Sequence, residues 1–89
     1  MGLRALAAQL TGSGVELVTA VVAGAAAATP ITVTGVKPGD QIQSVVERDG
    51  ASALFVADRT SVTVVSAADA ITITPSTAAN EITVSYWSV

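Results

Sequence analysis

Lys37, Glu47 and the aspartates Asp40, Asp49, Asp58 and Asp69 are the side chains of this sequence from which chemistry would have to be built. The chain has no histidine and no cysteine, so the usual proton shuttle, the commonest metal ligand and the thiolate nucleophile are all missing. A serine or threonine nucleophile needs a base within hydrogen-bonding reach. Lys37 is the only lysine and the one candidate for that role, but it belongs to Lys37-Pro38-Gly39-Asp40, a turn in which a lysine is ordinarily solvated. Glu47 and Asp49 suggest the paired carboxylates of a glycosidase, yet they fall in Glu47-Arg48-Asp49-Gly50, a polar break expected to be a solvated loop. The aspartates could offer oxygen to calcium, but none has the dense acidic spacing of a calcium loop, and each has a turn to explain it. Gly12-Ser13-Gly14 lacks the Gly-Lys-Ser/Thr ending of a phosphate-binding loop. The expectation is a non-enzymatic protein with no catalytic, cofactor-binding or metal-binding residues.

The elements that would position any site are strands. Pro38 presets the first central position of a type II turn, Gly39 supplies the positive φ of the second, and the Asp40 carboxylate can fold back on nearby N–H groups. Ile31 to Val36 before that turn and Gln41 to Glu47 after it alternate with a period of two, the pattern of strands with one wetter face. Val15 to Gly24 is apolar on both faces, consistent with a strand covered on both sides or with a short buried helix. Ala51 to Ala57 reads as a short strand carrying Phe55 into the core. Thr60 to Ser66 is a clearer strand with Val62 and Val64 on one face. In Ala70 to Thr74, Ile71 and Ile73 alternate with threonines. The last strand, Glu81 to Val89, places Ile82, Val84 and Tyr86 on one face and Thr83, Ser85 and Trp87 on the other. This predicts an all-β fold, a small antiparallel β-sandwich or barrel of six to seven short strands.

Ahead of the strands, Met1 to Leu10 favours helix, with Leu3, Leu6 and Leu10 on one face. Ten residues are too few for a stable isolated helix, so residues 1–14 are expected to form an arm and flexible joint, and 15–89 a single β domain. The arm is either a frayed terminus or a segment whose leucines order against a neighbour. Arg4 followed by apolar residues has the layout of a secretory signal, but Thr11 to Gly14 and Glu16 interrupt it, and no cleaved signal is expected.

At 89 residues the chain is one domain that buries only about 60 to 65% of its unfolded surface. Charged residues make up 12% and apolar residues 51%, more than a small globule hides, and larger exposed apolar patches mark interaction sites. The net charge is −3, with Arg4, Lys37, Arg48 and Arg59 scattered singly, so no nucleic-acid partner is expected. The apolar run from Leu17 to Ala28 is too short to span a bilayer, and no membrane partner is expected either. Trp87 either points outward as an interface anchor or lies beneath the N-terminal segment.

Ile31 to Val46, with its Gly-Val-Lys-Pro-Gly-Asp turn, the Ile71 to Trp87 end and the low-charge Ala/Thr/Val composition resemble small capsid decoration or cement proteins of tailed bacteriophages. The resemblance covers roughly the last 60 residues and implies a head-stabilising protein on the outer surface of the virion. Its implied partners are the major capsid protein, whose subunits it would bridge, and itself as a homo-oligomer, dimer or trimer. Leu3, Leu6, Leu10 and Trp87 are the expected partner-binding residues. The alternative is a carbohydrate- or surface-binding β module of a phage fibre or tail, built on Tyr86 and Trp87.

Overall fold

A computed structural model of the chain describes residues 16–88. The arm, with Leu3, Leu6 and Leu10, lies outside the described residues. The fold is all-β, two antiparallel sheets packed as a sandwich. The first sheet has the order β1 (Glu16–Ala23), β7 (Glu81–Ser88), β3 (Gln41–Arg48), β4 (Phe55–Asp58). The second has the order β2 (Pro30–Thr32), β6 (Ala70–Ile73), β5 (Thr63–Ala67), and a single 3-10 turn, Thr60–Val62, leads into β5. Between them lie Ile31, Val33, Val36, Val45, Ile71, Ile73, Ile82, Val84 and Tyr86, all buried. In β6 and β7 the inward positions are the ones that alternation marks, Ile71, Ile73, Ile82, Val84 and Tyr86, since β-branched and aromatic side chains pack well on a pleated surface.

The Lys37-Pro38-Gly39-Asp40 turn forms as its residues dictate. Asp40 N–H donates to Lys37 O at 3.0 Å, Gly39 has φ +98°, and the Asp40 carboxylate accepts from Lys37 N–H at 3.1 Å. It does not join a hairpin, however. The regular strand before it stops at Thr32, and a second turn at Thr34-Gly35 carries the chain from one sheet to the other, so β2 pairs with β6 while β3 pairs with β7 and β4. That second turn, with Gly35 at φ +97°, is held by Asp69, whose Oδ1 accepts from Gly35 N–H at 2.8 Å and whose own N–H donates to Val36 O.

Four expectations need correction. Glu16–Ala23 is not covered on both sides; β1 is a sheet edge, and Val21 on its outer face is 59% exposed. Phe55 is not in the core but 62% exposed. Val62 packs against the core while Val64 is exposed, because Val62 ends the 3-10 turn and breaks the alternation that would have joined them. Glu47 is not solvated but 2% exposed. The Phe55 and Glu47 reversals have one kind of cause, a β-bulge, which inserts an extra residue and reverses side-chain parity beyond it. Between β3 and β7 the register runs Ile42 with Tyr86, then Ser44 with Ser85, leaving Gln43 bulged. Ile42, Val45 and Glu47 therefore all turn inward. Between β3 and β4, Glu47 pairs with Ala57 and Arg48 with Phe55, leaving Val56 bulged and Phe55 facing outward beside Arg48.

Candidate interaction surface

The most exposed large apolar side chains among the described residues are consecutive: Leu54 and Phe55, at 69% and 62%, are followed by Val56 at 44%. They occupy the edge strand β4 and the end of the loop that enters it. The loop is built by Asp49, whose Oδ1 accepts from Ala51 N–H at 2.7 Å and Ser52 N–H at 3.2 Å. These bonds favour the charged carboxylate and hold it below its ordinary range. Ala53 takes a left-handed φ of 61° and donates to Asp49 O, and Asp49 N–H donates to Leu54 O at 2.8 Å. Leu54 is thus presented by a closed loop.

Beneath the loop sits a buried polar network. Arg59 Nε donates to Glu47 Oε1 at 2.8 Å, and Asn80 Nδ2 donates to Glu47 Oε2 at 2.6 Å. Asn80 Oδ1 in turn accepts from Gly50 N–H at 3.3 Å, which ties the loop to the start of β7. Burial pushes the Glu47 carboxyl up, but the hydrogen bonds from Asn80 and Arg59 and the Arg59 charge together outweigh it and hold the group below its ordinary value of 4.5. The base of β4 is pinned in the same way. Asp58 Oδ1 accepts from the Thr60 hydroxyl at 2.6 Å and from its N–H at 2.9 Å, lowering the Asp58 pKa, while Thr60 Oγ1 accepts from Val45 N–H at 2.9 Å. The apolar strip is held by short bonds at both ends.

The side chains first considered for chemistry are each engaged in structure. Lys37 Nζ lies 3.2 Å from Asp40 Oδ1 and donates to Ser88 Oγ at 3.1 Å. Glu47 and Asp49 serve different bonds, one inward and one in the loop. Tyr86 is buried, and desolvation, then the charges of Asp40, Asp69 and Glu16, raise its phenol above its ordinary 10. No group of three acidic residues gathers among the described residues, and no pocket is found there.

Of the expected partner-binding residues, Trp87 is the one described. It stands on the outward face of β7 between Leu17 of β1 and Gln41 of β3, half-buried. With Tyr86 on the opposite face, the two aromatic rings do not form a common platform. The residues that sequence reasoning missed are Leu54, Phe55 and Val56. Their signal was present in three consecutive apolar residues next to a turn, a run that alternation cannot place on one face. Comparison of the chain with known protein families, with curated proteins and with solved structures gives no match.

Proposed function

We propose that the protein is a non-enzymatic structural part of a phage virion, which decorates the outer surface of the capsid and stabilises it by bridging neighbouring major capsid subunits. The observation that carries the docking part is the rigidly mounted strip Leu54-Phe55-Val56 on the β4 edge. Burying the exposed parts of three such side chains against a partner stabilises a contact by on the order of 4 kcal/mol, and the β4 edge can add main-chain hydrogen bonds to a partner strand. Multiplied over the repeated positions of a symmetric shell, a contact of that size is enough to matter. The resemblance of Ile31 to Val46 and Ile71 to Trp87 to phage decoration proteins supplies the shell as the partner.

The test is quantitative mass spectrometry of purified particles. Copies on the order of hundreds per particle, as shell symmetry demands, support the reading, whereas about a dozen or fewer would place the protein in a portal or tail. A Leu54→Ser/Phe55→Ser double variant should leave the melting temperature within a few degrees of wild type, since both residues are exposed, yet should detach from particles. Particles lacking the protein should break at lower temperature and milder osmotic shock. Equal resistance with and without it would refute the stabilising role.

A further inference from the structure

We propose that the protein forms a twofold dimer in which β1 of one copy pairs antiparallel with β1 of a second, with Ala20 on the symmetry axis. This gives a geometry to the homo-oligomer that the sequence resemblance implies, but it stands on the backbone of β1.

The argument begins with which main-chain groups β1 leaves over. Gly24 N–H donates to Asn80 O at 2.8 Å, one step beyond the last register pair of β1, Ala23 with Glu81. In an antiparallel ladder hydrogen-bonded and non-hydrogen-bonded pairs alternate. Val22, Ala20 and Val18 therefore direct their N–H and C=O groups at β7, and Leu17, Thr19, Val21 and Ala23 direct theirs at the open side of the sheet.

Among the described residues that open side lacks the protections of an edge that the other edges show, which are brevity, proline or a bulge, and it carries no lysine. The other three edges each have one or more: β2 has three residues beginning with Pro30, β4 has four and a bulge at Val56, and β5 is interrupted at Ser66. By contrast β1 runs for eight residues in unbroken register, and Glu16 is its only charge.

The same strand is complementary to itself in one register that uses all four outward residues. Leu17 pairs with Ala23 of the second copy and Thr19 with its Val21, each twice by symmetry, giving up to about eight main-chain hydrogen bonds, two per pair. Ala20 then meets its own symmetry mate at a non-hydrogen-bonded position, where the backbones come closest and a small side chain fits. On the inward face Val18 meets Val22 of the other copy, and both are only partly covered within one copy. Glu16 falls opposite Gly24, so no like charges meet. The two four-stranded sheets become one continuous eight-stranded sheet, and the second copy is the occupant because the edge matches it without a charge or proline in the way.

The full chain has no cysteine, so an introduced one reports on a single position. Ala20→Cys should oxidise to a disulfide-linked dimer in high yield, because paired Cα atoms at a non-hydrogen-bonded position lie ~4.5 Å apart, within disulfide reach. Val64→Cys, exposed on the other sheet, should remain largely uncrosslinked. Light scattering should find the wild-type chain dimeric at about 100 μM. Val21→Pro removes an N–H that β7 does not use, so it should retain the wild-type circular dichroism and weaken the dimer about 100-fold, as a ring clash and a lost bond in each half would. Should that variant not fold, the Ala20→Cys comparison decides by itself. A wild-type chain monomeric at that concentration, with its edge covered by its own N-terminal residues or by nothing, overturns the proposal. So does cross-linking at residue 64 equal to that at residue 20. Particle copy number plays no part in either readout, so the shell reading and the dimer fail separately.

Discussion

Glu47 carries its charge on the inward side of a sheet, and its neighbours explain why it is tolerated there. Both carboxylate oxygens are taken, one by Arg59 and one by Asn80, and a buried charge that is paired and hydrogen-bonded avoids most of the desolvation penalty. Glu47→Ala strands the Arg59 guanidinium, which is itself one quarter exposed, so the loss should fall below the usual range for a fully buried pair, at about 2 kcal/mol. In a chain of this size that lowers the melting temperature by about 10 °C, measurable by calorimetry. The pH dependence follows from the same bonds. Because the folded pKa is lowered, the unfolded chain takes up the proton first as the pH falls, so the stability is fully present above about 4.5 and is lost as the pH drops through the lower folded value. Asp49 and Asp58, also lowered, act in the same direction from below their ordinary 3.8. Urea midpoints should therefore be flat from pH 7 to 5 and fall below that, and Glu47→Gln should flatten part of the fall. A midpoint that rose on acidification would contradict the network.

At the scale of elements, the connections are held as closely as the strands. Thr77, buried in the loop before β7, donates its N–H to Ala25 O at 2.8 Å, and its Oγ1 accepts from Ala25 N–H at 3.0 Å. Together they bind the end of β1 to the start of β7. A Cβ on Gly24 would collide with the Thr77 carbonyl and hydroxyl; the hydroxyl cannot retreat without losing its bond from Ala25 N–H, nor the carbonyl without losing its bond from Asn80 N–H at 3.1 Å. Gly24→Ala should therefore cost about 2 to 3 kcal/mol in urea unfolding, as overpacking of a closed site does. The equivalent change at Gly39, which has open space around it but φ +98°, should cost only about 1 kcal/mol of backbone strain. That turn was legible in the sequence because proline and glycine act through their own dihedrals. The Gly24 contact was not, since the atoms it meets come from more than fifty residues away.

For the molecule as a whole, β7 is the strand on which the first sheet depends. It pairs along its length with β1 on one side and β3 on the other, and Ile82, Val84 and Tyr86 belong to the buried core. Burying three such side chains is worth on the order of 6 kcal/mol, comparable to the entire stability of a small domain. A chain ending at Asn80 should show no cooperative thermal transition by circular dichroism; one that melted like the full chain would show that the core holds without its central strand. The amino-acid sequence by itself determined the all-β class, the Lys37 to Asp40 turn, the inward faces of β6 and β7 and the missing histidine and cysteine. Each of these rests on residue types or on a period of two that continues without interruption. Only the tertiary structure decided that β1 is an edge, that the Lys37 to Asp40 turn closes no hairpin, that Glu47 turns inward and that Phe55 turns out. Sheet order is set by pairings between distant segments, and single-residue bulges at Gln43 and Val56 reverse side-chain parity without changing the composition that a local reading sees.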